Sequence, residues 1–170
     1  MIKIIRLILR DIKRKKISVE NFRFLIKLFN LKKMNYELRE MLPEDGAQVL
    51  QIFEEGIAGG NATFDKEVPT WEYWDKNHFS ACRFVAEDDN NNVVAWAALK
   101  PVSNRECFSG VAEVSIYITN SAQGKGLGKV LLQKLIIESE KNGFWMLQSG
   151  IFPENIASLR VHESLGFRTV

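Results

Sequence analysis

Residues 111–130 read VAEVSIYITNSAQGKGLGKV, and the fold turns on this stretch. VAEVSIYI is rich in β-branched residues and holds no glycine or proline, which predicts a strand. Thr119, Asn120 and Ser121 are turn formers. A glycine loop follows, Gln123-Gly-Lys-Gly-Leu-Gly128, and runs straight into an apolar-periodic helix. Strand, glycine loop and helix N-terminus together make an anion cradle, because glycines allow close backbone approach and the first helical N–H groups point outward unpaired. A domain that grips a phosphorylated molecule here is the first expectation.

The length of 170 residues suits one domain. The net charge of +2 hides an asymmetry: residues 1–33 carry 11 Lys and Arg against 2 acids, and the remainder carries 12 against 19. A basic arm, 1–33, thus precedes a mildly acidic domain, 34–170. The acidic body argues against nucleic-acid binding. Cys82 and Cys107 offer neither metal spacing nor a disulfide framework, so no metal is expected and a cytoplasmic protein with reduced thiols is. The N-terminal apolar run is broken by Lys3, Arg6 and Arg10, well short of the roughly 20 residues a spanning helix needs.

Within the arm, Ile4, Ile5, Ile8, Leu9 and Ile12 recur at helical spacing, as do Phe22, Leu25, Ile26 and Phe29. Short helices resting on the domain are expected in preference to a basic amphipathic membrane anchor. A strand is predicted at 36–40. Pro43-Glu44-Asp45 opens a helix to about Ala58, ended by Gly56, Gly59 and Gly60. Trp71, Tyr73 and Trp74 form a short helical piece ending near His78, read as core or lid packing; His78 receives no chemistry. Strands at 83–87 and 93–101 flank an Asp/Asn turn. The 111–118 strand, a helix to about Lys141, a strand at 144–149, and a helix opened by Pro153-Glu154-Asn155 and closed by Gly166 complete the order β-α-(α)-β-β-β-α-β-α. This is an α/β (α+β) domain with one mixed sheet.

Gly-x-Gly by itself is a weak signal. Gly128-Lys129 is followed by Val130 rather than Ser or Thr, so the loop is not a P-loop, and it lacks the dinucleotide spacing G-x-G-x-x-G. In the central strand, period two puts Glu113, Ser115 and Tyr117 on one face and Val114, Ile116 and Ile118 on the other. A carboxyl group among apolar neighbours holds its proton more tightly, which suits a base; on spacing alone, a solvent-reaching glutamate is an equal reading. Asn155, Ser158 and His162 share one helix face, either a solvated side or the wall of a cleft.

Gln123-x-x-Gly-x-Gly128 resembles the coenzyme A pyrophosphate loop of the GNAT acetyltransferases. Gly59-Gly-Asn-Ala-Thr-Phe64, Pro101-Val-Ser-Asn-Arg105, Gly110-Val-Ala-Glu-Val-Ser-Ile-Tyr117, Leu147-Gln-Ser-Gly-Ile-Phe-Pro-Glu-Asn155 and His162-Glu-Ser-Leu-Gly-Phe167 extend the likeness to the phosphinothricin-type N-acetyltransferases of that superfamily. The resemblance implies a GNAT fold and transfer of acetyl from acetyl-CoA to the α-amine of a small amino-acid analogue such as phosphinothricin, methionine sulfone or methionine sulfoximine. It implies Glu113 as base and His162 as its catalytic partner. Gln123, Gly124, Lys125, Gly126, Leu127 and Gly128 would hold the pyrophosphate. Ile116, Tyr117 and Ile118 would lie along the acetyl and pantetheine part, on a central strand that splays from its neighbour, with Asn155 and Ser158 toward the coenzyme. Arg105, with Ser103, is the candidate for an acceptor carboxylate or phosphinate, since guanidinium pairs with such groups bidentately. Phe64 would wall the substrate pocket. Direct aminolysis needs no cysteine nucleophile.

The family continues for one or two strands past Gly-Phe-Arg, where this sequence stops after Val170. That predicts a domain truncated at its C-terminus, with an open sheet edge beside 144–149 and weakened turnover. A homodimer is left open. The alternatives to an active enzyme are a catalytically impaired coenzyme A-binding fragment and an interaction protein acting through its basic arm.

Overall fold

The computed structural model describes residues 2–8 and 35–170. The elements follow in order. β1 is Lys3–Ile8 and β2 is Tyr36–Glu40. A 3-10 turn, Pro43–Asp45, leads into α1, Gly46–Ala58, and α2 is Trp71–Lys76. β3 (Phe84–Asp88), β4 (Val93–Pro101) and β5 (Val111–Ile118) come next. α3 (Leu127–Lys141), β6 (Met146–Ile151), α4 (Ile156–Ser164) and β7 (Arg168–Thr169) complete the fold. Seven strands form one sheet in the order β2-β3-β4-β5-β6-β1-β7. β2 through β5 are antiparallel neighbours, and β5 meets β6 in parallel across the α3 crossover. The α+β mixed sheet flanked by helices is the architecture the sequence predicts.

The sheet separates two cores. Val49, Ile52 and Phe53 of α1 and Trp74 of α2 pack on Val85, Val93, Trp96 and Ala98. On the opposite face, Leu127, Leu131, Leu132, Leu135 and Ile136 of α3 and Leu159 of α4 cover Ala95, Ala97, Leu99, Ala112 and Val114. β4 is buried from Val93 to Leu99 because both layers press on it, and its uninterrupted apolar run reflects that position.

Three expectations are corrected. Helical spacing was expected over Ile4–Ile12, but Lys3–Ile8 is a strand. Its burial alternates: Ile4 and Arg6 face outward, whereas Ile5 and Leu7 are buried. That is the period of a half-buried strand, and six residues are too few for helical and strand periods to be told apart by apolar spacing. The open edge expected beside β6 is also absent. β1 pairs antiparallel with the whole of β6, from Lys3↔Ile151 to Ile8↔Met146, and β7 lies outside it at Ile5↔Thr169 and Arg6↔Arg168. Residues 3–8 are therefore part of the domain's sheet. The helical reading of residues 9–12 and 22–29, and the membrane-anchor reading, lie outside the described residues. Finally, Gly56 does not end its helix; it lies within α1, and Gly59 is the C-cap. A Cβ at Gly56 would stand 2.7 Å from the Tyr117 ring, so the glycine is there for close packing.

Ile5 is fully buried in the α3–α4 core. Ile5→Ala is expected to lower unfolding free energy by about 2–4 kcal/mol, read from the urea midpoint. An unchanged midpoint would mean that β1 is not part of the folded sheet.

Candidate active site

The site arises where two strands part. β5 and β6 pair at Val111↔Met146, Ala112↔Leu147 and Glu113↔Gln148. Beyond that, β5 runs on to Ile118 and β6 to Ile151 without pairing. β4 keeps hold of β5 throughout, from Pro101↔Ala112 to Ala95↔Ile118. The Thr119 N–H donates to the Val94 carbonyl at 2.9 Å. Antiparallel pairing alternates along the strand, so Tyr117 and Ser115 also turn their peptide groups toward β4. Ile116 and Ile118 turn theirs toward the gap left by β6. The Ile118 carbonyl accepts from Gln123 Nε2 at 3.3 Å.

A cleft of about 250 Å³ occupies this wedge. Its walls come from the Asn61–Asp65 loop, Lys100, Glu113–Tyr117, Ser149–Phe152, the α4 face and Ile2. Asn155, Ser158 and His162 all line it, so the polar stripe of the last helix faces inward. The Asn155 Oδ1 caps α4 by accepting from the Ser158 N–H (3.1 Å), and its Nδ2 donates to the Asn61 carbonyl (3.2 Å), tying the helix to the loop. Phe64 lines the cleft but is 70% exposed, edge-to-face with Phe152 at 4.7 Å.

Glu113 stands on one face of the sheet with a charged neighbour. Lys100, directly opposite on β4, brings its Nζ to 3.0 Å from the carboxylate. The expected apolar surroundings are replaced by an ion pair at the cleft wall. Sequence reasoning overlooked Lys100, although cross-strand pairing of Lys100 with Glu113 is the signal that exposes it. His162 projects from the other side of the sheet and is 3% exposed. Its Nδ1 lies 2.8 Å from the Ser158 carbonyl, an acceptor only, so Nδ1 carries the hydrogen. Nε2 is then a lone-pair acceptor, buried and without a hydrogen-bond partner. Burial lowers the His162 pKa and keeps the ring neutral.

Tyr117 is held by an aromatic stack: Trp96 faces it at 4.8 Å and Phe53 meets it edge-on at 4.9 Å. Burial pushes its phenol up to about 12, so it stays neutral. Trp96 packs on Trp74 at 5.3 Å, and Trp74 on His78 at 3.9 Å. Trp74 of the short helix is thus core packing, with Trp71 stacked on it, whereas Tyr73 is exposed. His78 donates from Nδ1 to the Trp74 carbonyl at 2.7 Å.

The glycine loop leaves the same strand. Gly124 (φ +72°) and Gly126 (φ +87°) are left-handed, with open space where a Cβ would lie. Gly126 is the N-cap of α3 and supplies no side-chain cap; the Lys129 N–H donates to the Gly126 carbonyl at 3.1 Å, which leaves the N–H groups of Leu127 and Gly128 at the helix start to face an anion. Leu127 is buried in the core, and Lys125 donates from Nζ to the Tyr36 hydroxyl at 3.0 Å. Glu55 of α1 anchors the loop's start by accepting from the Thr119 hydroxyl (2.7 Å) and the Asn120 N–H (2.7 Å), a contact spanning 65 residues that local spacing does not reveal.

Ser103 and Arg105 fall elsewhere. They lie on the loop after β4, with Ser103 half-buried and Arg105 exposed, and neither lines the cleft. The Arg105 N–H instead donates to the Ser103 hydroxyl at 3.2 Å. Among the described residues, Lys100 is the Lys or Arg side chain that does line it. Cys82 is buried, which pushes its thiol up to about 11 and disfavours the thiolate.

Comparison with known proteins finds a matching family and several relatives. The profile of the acetyltransferase (GNAT) family matches residues 47–167. YwnH of Bacillus subtilis (strain 168), provisionally named a phosphinothricin acetyltransferase, is 37% identical over 70% of this chain and 76% of its own. The L-methionine sulfoximine/L-methionine sulfone acetyltransferase of Salmonella typhimurium (strain LT2) is 29% identical over 72% and 74%. Among solved structures, a GNAT superfamily phosphinothricin acetyltransferase from Sinorhizobium meliloti, in complex with acetyl-CoA, superposes with a TM-score of 0.72 at 27% identity. That match covers 79% of this chain and 75% of that one.

His78 gives the stability of this layer a pH signature. Burial pushes its pKa down to about 4, so the unfolded chain takes up a proton the folded one refuses as pH falls below about 6.5. Unfolding free energy should drop by about 2 kcal/mol from His78 between pH 7 and pH 5, with His162 adding to it in the same direction. Denaturant melts at the two pH values should show the drop, and His78→Gln should shrink it by about that amount; equal drops in both proteins would contradict the assignment.

Proposed function

The chain belongs to the acetyltransferase (GNAT) family, and on that premise we propose that it acetylates the α-amine of a small amino-acid analogue by direct transfer from acetyl-CoA. It is an N-acetyltransferase related to the phosphinothricin and methionine sulfoximine acetyltransferases. The observation that carries the finer reading is the parting of β5 from β6 beyond Glu113, which leaves a cleft between a carboxylate and a neutral imidazole.

The residues divide the work as follows. The left-handed glycines and the uncapped α3 N-terminus suit the pyrophosphate of coenzyme A. The Ile116 N–H, freed from sheet pairing, is the donor that polarises the thioester carbonyl. Lys100 offers a cation for the acceptor's carboxylate or phosphinate, the role that the positions of Ser103 and Arg105 do not favour. Glu113 takes a proton from the ammonium, because only the free amine is nucleophilic. Attack then gives a tetrahedral adduct whose nitrogen still carries a surplus proton. His162 Nε2 accepts it and returns it to the departing sulfur, so that amide and thiol form with protons balanced. Cys82, held as a thiol, is unsuited to a covalent acetyl-enzyme. The pairing of β1 along β6 supports the reading of an active enzyme over the alternative of an impaired coenzyme A-binding fragment.

Thiol release from acetyl-CoA, with methionine sulfone and phosphinothricin as acceptors, tests the reading. Glu113→Gln should lower kcat about 10²- to 10³-fold with thermal stability little changed, since a partly exposed ion pair contributes little. Wild-type turnover in this variant would rule out Glu113 as the base.

A further inference from the structure

β1 does more than complete the sheet, because its leading end reaches the cleft. Ile2, the residue before the strand, is half-buried and lines the cavity. Strand register identifies its face. Glu113 is opposite Gln148, Gln148 is opposite Arg6, and Gly150 is opposite Ile4. Side chains directly opposite in paired strands share a face, as do alternate residues along one strand. Ile2, Ile4, Arg6, Gln148, Gly150 and Glu113 therefore project to the same side. The hydrogen bond from Arg6 Nε to Gln148 Oε1 (3.3 Å) agrees. Between Glu113 and Ile2 lies Gly150, which adds no side chain to the floor. A Cβ there would stand 3.3 Å from Ile2 Cγ2 and 3.9 Å from Cδ1.

We propose that Ile2 is a specificity-determining residue, the end wall that limits the length of the acceptor's side chain. This rests on the acceptor reading above. An amine delivered to Glu113 leaves the substituent on its α-carbon to run over Gly150 toward an aliphatic wall, with Phe64 and Phe152 alongside. Such a channel accepts an unbranched apolar or weakly polar side chain and stops it at Ile2. The N-terminal strand thus couples sheet closure to substrate choice: the alternation that buries Ile5 and Leu7 against the core also aims Ile2 at the cleft.

The test is the ratio of kcat/KM for methionine over alanine as acceptors, measured on the full chain. One or two methylenes of pocket space are worth about tenfold or more in discrimination. Ile2→Ala should raise the ratio about tenfold and Ile2→Phe should lower it about tenfold, with the change mainly in KM. Gly150→Ala should act like Ile2→Phe, and adding Ile2→Ala to it should relieve the effect, a coupling expected of residues in contact. The conservative Ile2→Val should keep the ratio near wild type, which a general loss of structure would not. If the wild-type chain acetylates neither amino acid nor methionine sulfone, the acceptor reading falls and this inference falls with it. If the wild type discriminates and all the variants keep its ratio, only the inference is overturned.

Discussion

Everything at the site depends on β5 being held on one side and released on the other. β4 pairs with β5 along its length, while β6 lets go after Glu113↔Gln148. An unpaired stretch of central strand is costly in a folded core, because buried peptide groups need partners. Here the cost is local and the cleft lies beside it. The firm side is firm because β4 is buried between two cores and the Tyr117–Trp96–Trp74 stack packs one of them. Glu55 pins the end of β5 through Thr119 and Asn120, so the glycine loop starts from a fixed point.

The loosened side needs support from beyond β6, and the chain provides it from its other terminus. β1 matches β6 residue for residue and buries Ile5 and Leu7 in the core. β6 can part from β5 without becoming a bare edge, since its far side is fully paired. The two catalytic candidates sit on opposite faces of the sheet, Glu113 beside Lys100 and His162 under α4, and the gap between the strands is what lets one cleft reach both.

Much of this was legible in the sequence because local chemistry carried it. The strand, glycine loop and helix of residues 111–141 follow from β-branched run, glycine spacing and apolar period. That Asn155, Ser158 and His162 share one face of the last helix follows from their spacing, whereas the inward turn of that face was carried by the resemblance alone and is seen in the cleft lining. What was not legible depends on long-range pairing. Six residues from Lys3 to Ile8 satisfy a helical spacing as well as a strand alternation, and only the presence of β6 as a partner decides between them. Gly56 reads as a helix terminator until Tyr117 is known to lie against it. Lys100 went unread because its partner, Glu113, is 13 positions away across a strand connection. Ser103 and Arg105 belong to a recognisable motif, and neither lines the cleft.

The central claim is that the divergence of β5 and β6 frees backbone donors for the thioester and pantetheine of acetyl-CoA. Amide hydrogen exchange, resolved by residue with and without saturating acetyl-CoA, tests it most directly. The account predicts that Ile116 and Ile118 exchange readily in the free protein and become protected on binding, while Ser115 and Tyr117, already paired with β4, change little. Equal responses along the strand, or no protection at Ile116 and Ile118 when the coenzyme is bound, would contradict it.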